Sequence, residues 1–181
     1  MKILAFAGSN SKNSINKQIL NYTINQLNNV EIDLVDLNDF EMPIYSIDRQ
    51  NETGFPKLAE DFYQKIQAAD GLVISLAEHN GNFSVALKNI LDWVSRIDMP
   101  YLSGKKLLLL STSPGGYGGG NVMELASKYF EHFASGEIVA STTFPSFYDN
   151  FKEDEIVNEE LKSNVLEKIN LFQQALESVQ A

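Results

Sequence analysis

The chain predicts a doubly wound α/β fold: a five-stranded parallel sheet of order 2-1-3-4-5, with helices on both faces, in a single domain over residues 1–181. Three observations carry that expectation. Apolar runs at 2–7, 30–36, 71–77, 105–112 and 137–142 alternate with segments of helical periodicity, which is the βαβ rhythm of a parallel sheet. Several runs, such as Leu107-Leu108-Leu109-Leu110, lack polar alternation, as strands covered on both faces require. Three loops that follow strands are rich in Gly, Ser and Asn, and in such sheets ligands sit beyond the carboxyl ends of the strands at the switch point.

Composition narrows the function classes. The chain has 181 residues, 44% hydrophobic and 21% charged, enough for one sizeable core. It has no cysteine, which excludes disulfides, thiol chemistry and Cys-ligated metal. The net charge of −10 repels polyanions, so neither nucleic acid nor an anionic membrane surface is an expected partner. No apolar segment is long enough for a signal peptide or a membrane span, and a cytoplasmic location is the expectation.

The first strand, 2–7, empties into Gly8-Ser9-Asn10-Ser11-Lys12-Asn13-Ser14-Ile15-Asn16, with a helix behind it. Such a junction aims backbone N–H groups, hydroxyls and the positive end of a helix at one point, which suits a phosphate. Gly8 permits close backbone approach, Ser9, Ser11 and Ser14 supply hydroxyls, and Asn16 supplies a side-chain amide. The loop is neither a Walker loop nor G-x-G-x-x-G, and a helix N-cap that binds nothing fits the same residues. The loop after the third strand reads Ala77-Glu78-His79-Asn80-Gly81-Asn82-Phe83-Ser84. The loop after the fourth reads Ser113-Pro114-Gly115-Gly116-Tyr117-Gly118-Gly119-Gly120, with five glycines in its last six residues. That density suits main chain passing close to a flat ligand or forming a nest of N–H groups, and suits a mobile surface loop equally.

The remaining elements follow from spacing. Ser84 caps a helix over 84–97, whose apolar stripe is Leu87, Ile90, Leu91 and Val94, with Trp93, Asp92 and Arg96 on its other faces. Residues 152–179 place Ile156, Leu161, Val165, Ile169, Phe172 and Leu176 at helical spacing, which predicts one closing helix. The aromatic segment 144–151 either caps an interface or seals the last strand. Only two histidines occur, His79 and His132, without acidic residues at ligand spacing, so no metal site is expected.

The loops just quoted, together with 36–45 and the run A-E-H-N-G-N-F-S-V-A-L-K-N-I-L-D-W-V-S-R at 77–96, resemble the NADPH-dependent FMN reductase family of flavodoxin-like proteins, which includes quinone, chromate and azo-dye reductases. The resemblance covers most of the first 145 residues. It implies a flavodoxin-like fold, FMN as cofactor, NADPH or NADH as hydride donor, and a quinone-like or other small acceptor. It implies that Ser9, Ser11, Ser14, Ile15 and Asn16 hold the FMN phosphate. Ala77, Glu78, His79, Asn80 and Gly81 would line the isoalloxazine, and Ser113, Gly115 and Gly116 its pyrimidine end. No side chain need act as acid or base, since the flavin carries the chemistry. Glu78 is expected to act through its backbone, because negative charge beside the ring opposes its reduction. The resemblance also implies a homodimer or homotetramer joined along 84–97 and 121–133, and Trp93 and Arg96 are residue types enriched at interface cores.

Two departures stand out. Ser11 occupies a position where the family usually has Arg, removing a charged hydrogen bond of about 1.5–3 kcal/mol. Lys12 either supplies that charge or is solvated. Ala77-Glu78-His79-Asn80 replaces the usual P-E-Y-N, so His79 is the ring wall in place of Tyr. A flavodoxin-type electron carrier and a binding protein that keeps the fold without FMN are the alternative readings.

Overall fold

The computed structural model describes residues 1–178. Strands β1 (Lys2–Ala7), β2 (Glu31–Val35) and β3 (Gly71–Leu76) pair in parallel, with Ile3 opposite both Ile32 and Gly71. Between them lie α1 (Ile15–Asn25), a 3-10 turn at Leu37–Phe40, α2 (Ile47–Thr53) and α3 (Lys57–Ala68). A hairpin of β4 (Glu78–His79) and β5 (Asn82–Phe83) precedes α4 (Val85–Ile97). Strand β6 (Lys106–Thr112), α5 (Gly120–His132) and β7 (Glu137–Phe144) extend the sheet to the order β2-β1-β3-β6-β7, all parallel. With the hairpin strands set aside, this is the expected 2-1-3-4-5 order.

Alternation along the central strands explains the two cores. Ile3, Ala5, Val73, Leu108 and Leu110 face α1 and the C-terminal helix, where they meet Ile19, Leu20, Val165, Ile169 and Phe172. Leu4, Phe6, Leu72, Ile74, Leu107 and Leu109 face α3, α4 and α5, against Phe62, Ile66, Leu87, Val94, Val122 and Phe130. Each strand therefore buries both faces, which removes the polar alternation from its sequence. Gly71 is required by packing: a Cβ there would lie 2.9 Å from Leu176 Cδ2 and 3.1 Å from the Lys106 carbonyl oxygen.

Two expectations need correction. The closing helix is shorter than 152–179. Phe147–Asn150 forms the short α6, then β8 (Phe151–Lys152) and β9 (Glu155–Ile156) form a second hairpin. Helix α7 runs Glu159–Glu177, started by Asn158, whose Oδ1 accepts from the amides of Glu160 and Leu161, both at 3.1 Å. Ile156 matches the helical spacing by chance, and Val179 lies outside the described residues. Trp93 is not on an outer face either; it is fully buried, edge-on to Tyr45 at 5.1 Å, and its Nε1 donates to the Pro43 carbonyl at 2.8 Å. The segment 42–45 folds over α4 and covers it. Phe144, Phe147 and Phe151 pack against one another and seal the end of β7.

Candidate functional site

Of the loops that leave the carboxyl edge of the sheet, those after β1, β3 and β6 carry the residues singled out in the sequence. After β1, Gly8 donates to the Ser75 carbonyl at 2.7 Å, and a Cβ at Gly8 would meet Leu87 at 2.8 Å. Its smallness therefore serves packing against α4 rather than an open ligand space. Ser9 is buried, with Oγ accepting from the Ser11 amide at 3.2 Å, while Ser11 and Lys12 are exposed. Ser14 caps α1, accepting from the Lys17 amide at 3.3 Å. The amides of Ile15 and Asn16, in the first turn, donate no hydrogen bond among the described residues.

The Asn16 side chain points inward. The residue is 3% exposed, its Nδ2 donates to the Thr112 carbonyl at 3.3 Å, and its Oδ1 accepts from Ser75 Oγ at 2.9 Å and the Thr112 amide at 3.2 Å. One carboxamide thus fastens α1 to β3 and β6. Asn16 reaches the loop edge with its backbone amide, not with the side-chain amide expected from sequence.

The segment 77–84 is a hairpin rather than a plain loop. Asn80 (φ 53°) and Gly81 (φ 75°) both adopt positive φ, as a two-residue type I′ turn requires. Asn-Gly was a signal for this turn. Ala77 is buried, and His79 and Asn80 line an open cleft of about 520 Å³ with Ile44, Val85 and Lys88. Glu78 acts through its side chain: Oε1 accepts from Asn121 Nδ2 at 2.9 Å and Oε2 from the Val122 amide at 3.1 Å. Its carboxylate satisfies the N-terminus of α5, where the N-cap, Gly119, offers no side chain. Hairpin and glycine loop are thereby joined, and Asn121 is a partner that sequence reasoning missed.

The glycine loop divides into two halves. A Cβ at Gly118 (φ 62°) would come within 2.9 Å of Phe144 C and Pro145 N, and one at Gly119 (φ 80°) within 3.0 Å of Ser111 Cβ. Ser111 Oγ also donates to the Gly118 carbonyl at 2.9 Å. At Gly116 nothing lies within 4 Å of a Cβ, and at Gly115 only Ser113 Oγ, at 3.9 Å. The amides of Ser113, Gly115 and Gly116 donate no hydrogen bond among the described residues, although the Ser113 and Gly115 carbonyls accept from Phe147 and Ser146. Bare donors therefore stand on a fixed turn.

The loop after β2 forms a further wall. Asn89 holds it, accepting from the Tyr45 amide at 2.9 Å and donating to the Met42 carbonyl at 3.1 Å. A cleft of about 220 Å³ lies between Asn10, Asn38, Met42 and Val85. Burial raises the Asp36 carboxyl, but hydrogen bonds from Lys17 and Asn38 outweigh it and hold the group below the usual carboxylate range. Among the described residues no group of three His, Cys, Asp or Glu is placed to hold a metal, and no helix is long and apolar enough to cross a membrane.

A family model described as NADPH-dependent FMN reductase matches residues 1–148. The chain is 40% identical to a quinone reductase of Escherichia coli K12 over 79 residues, which cover 44% of this chain and 42% of that protein. It is 35% identical to a 2-hydroxy-1,4-benzoquinone reductase of Burkholderia sp. over 120 residues, 65% of this chain and 63% of that protein. The matched stretches thus span less than two thirds of either relative. In fold, the chain resembles the flavoenzyme NAD(P)H:(acceptor) oxidoreductase FerB of Paracoccus denitrificans, with a TM-score of 0.76 and 19% identity, over 98% of this chain and 97% of that one.

Proposed function

The chain belongs to the NADPH-dependent FMN reductase family, and from that premise we propose that it is an FMN-dependent NAD(P)H oxidoreductase that passes two electrons to a quinone-like or other small acceptor. The observation that carries this reading is the set of unengaged backbone amides at one edge of the sheet: Ile15 and Asn16 after β1, and Ser113, Gly115 and Gly116 after β6. The open space at Gly115 and Gly116 is a cradle that a Cβ would begin to fill. FMN bound there would supply the hydride-accepting and two-electron chemistry.

The chain's own residues bind and orient. The α1 amides, with the hydroxyls of Ser9, Ser11 and Ser14, would hold the phosphate, aided by the positive end of the helix dipole. Ser11 in place of Arg leaves this end to neutral donors, with Lys12 an exposed cation in the loop, unpaired among the described residues; Lys17 is committed to Asp36. Ala77, Glu78, His79, Asn80 and Gly81 would form one wall of the ring site, held against α5 by the Glu78 carboxylate. The amides of Ser113, Gly115 and Gly116 would face the oxygen-bearing end of the ring, where negative charge grows on reduction. Fixed donors stabilise that charge without reorganising.

Assembly as a homodimer or homotetramer and residence in the cytoplasm belong to the same reading. Ile44 and Val85, 68% and 69% exposed beside the cleft, support a protein-covered rim. Trp93 has no part in such an interface, since it is buried within its own chain. The purified protein should be yellow, with flavin absorption, and should oxidise NADPH or NADH in the presence of benzoquinone. A yellow protein inert toward both nucleotides is an electron carrier, and a colourless one that does not take up FMN has lost the cofactor; either outcome overturns the proposal.

A further inference from the structure

Away from the loops of the carboxyl edge, one face of α1 and the β8–β9 hairpin enclose a cleft of about 400 Å³. Its walls are Gln18, Asn21, Tyr22 and Asn25 from α1, its C-cap Gln26, and Asp154 and Glu155 from the hairpin. The hairpin lies beyond residue 148, outside the stretch that matches the family. Tyr22 is 6% exposed and its ring packs edge-on against Phe151 at 6.2 Å, yet its hydroxyl makes no hydrogen bond among the described residues. No buried side-chain oxygen or nitrogen among the described residues lacks a partner, so what remains accessible of Tyr22 is the hydroxyl at the cleft. A phenol otherwise enclosed in the core therefore presents its hydroxyl, without a protein partner among the described residues, to the cleft.

We propose that this cleft is a second binding site, and that it takes a small organic cation carrying several N–H donors, of the polyamine class. Charge decides the ligand. The four carboxamides and the phenol both donate and accept hydrogen bonds, whereas the two carboxylates only accept. Asp154 and Glu155 favour positive charge, and Lys162, 3.5 Å from Glu155, offsets only one of them. An anion would be repelled by these carboxylates and by the net charge of −10. Burial raises the Tyr22 phenol above its ordinary value, so it stays neutral and offers its lone pairs. Tyr22 supplies the fixed acceptor, and the hairpin supplies the charge.

The test is calorimetric titration of spermidine into the full chain, with and without added FMN, at about 20 and about 150 mM salt. We expect one saturable site in both FMN conditions. Tyr22→Phe keeps the ring packing and should weaken binding at least about threefold, and Asp154→Asn with Glu155→Gln at least about tenfold. Absence of saturation overturns the proposal, as does equal affinity in wild type and variants, which marks general attraction to an acidic chain. Glucose binding as tightly as spermidine overturns the cation assignment. Should the double variant not fold, Tyr22→Phe alone decides.

Discussion

The loop after β1 and the loop after β6 lie on one edge of the same sheet, yet they reach it in opposite ways. In the first, side chains already serve the fold: Ser14 Oγ accepts at the start of α1, Ser9 Oγ accepts within a turn, each keeping its hydroxyl hydrogen to donate, and Asn16 ties α1 to β3 and β6. In the second, side chains are nearly absent and the open half, Ser113 to Gly116, presents bare amides. The difference teaches that a residue type suited to a ligand does not by itself show what the side chain touches. Backbone donors stand open at both ends, and the buried side chains fix where that backbone stands.

The sharpest way to break the comparison is Asn16→Ala. It strands Ser75 Oγ and both backbone groups of Thr112 in a buried site, and unmet buried hydrogen bonds cost about 1–3 kcal/mol each. A loss of about 3–5 kcal/mol in urea unfolding is expected. If stability holds and only FMN affinity falls, Asn16 is a ligand and the two loops are alike.

The next test divides the glycine loop against itself. Gly118→Ala should cost about 2–3 kcal/mol, from the positive φ and from contact with Phe144 and Pro145 backbone. Gly116→Leu should change stability by less than about 0.5 kcal/mol while it slows flavin bleaching by NADPH in stopped flow, or ejects FMN. Equal bleaching rates with FMN fully bound would move the electron-accepting end of the ring elsewhere. Gly120 is a different case, because a Cβ there would lie 2.5 Å from the exposed Tyr117 ring, which can swing away.

Glu78→Gln sharpens the link between hairpin and glycine loop. It keeps the shape but removes the charge at the start of α5, so a loss of about 1 kcal/mol is expected, read from thermal unfolding. Lower FMN affinity should accompany it, since both walls of the proposed ring site depend on this joint. Unaltered stability would show that the Glu78 charge adds nothing to the contacts with Asn121 and Val122.

How much of this was legible in the sequence depended on range. Continuous apolar runs placed all five sheet strands, β1 at its observed bounds, and the order followed from their rhythm. Ser84 was readable as a cap because its partner, the Leu87 amide, is three residues away. Asn16 was not readable as a clasp, because Thr112 is 96 residues distant. The two hairpins escaped notice because each strand is two residues long, too short for any periodicity. Trp93 looked outward because the stripe on α4 was complete without it; only the fold of 42–45 over that helix buries it. For the candidate site, the sequence singled out three loops, and the structure divides their residues between open donors and supports.

The smallest effect concerns the tie between the loop after β2 and α1. Asp36 accepts from Lys17 Nζ and from the Asn38 amide, which holds its carboxyl below the usual range despite partial burial. A carboxylate with a lowered folded value binds fewer protons in the folded chain than in the unfolded one. Its contribution is therefore complete above the unfolded value and is lost as pH falls through the folded one. The side chain is 41% exposed, so solvent screening limits the pair to less than about 1 kcal/mol. Asp36→Asn should lower the melting temperature slightly at pH 7, by about 1–3 °C, and the difference should vanish in acid once pH falls below the lowered folded value, where the wild-type carboxyl is itself protonated. High salt should shrink the difference at pH 7. A deficit that persists below that value would mean that Asp36 supports α1 through its hydrogen-bond geometry and not through its charge, and would place it with Asn16 among the side chains that hold the edge by fit alone.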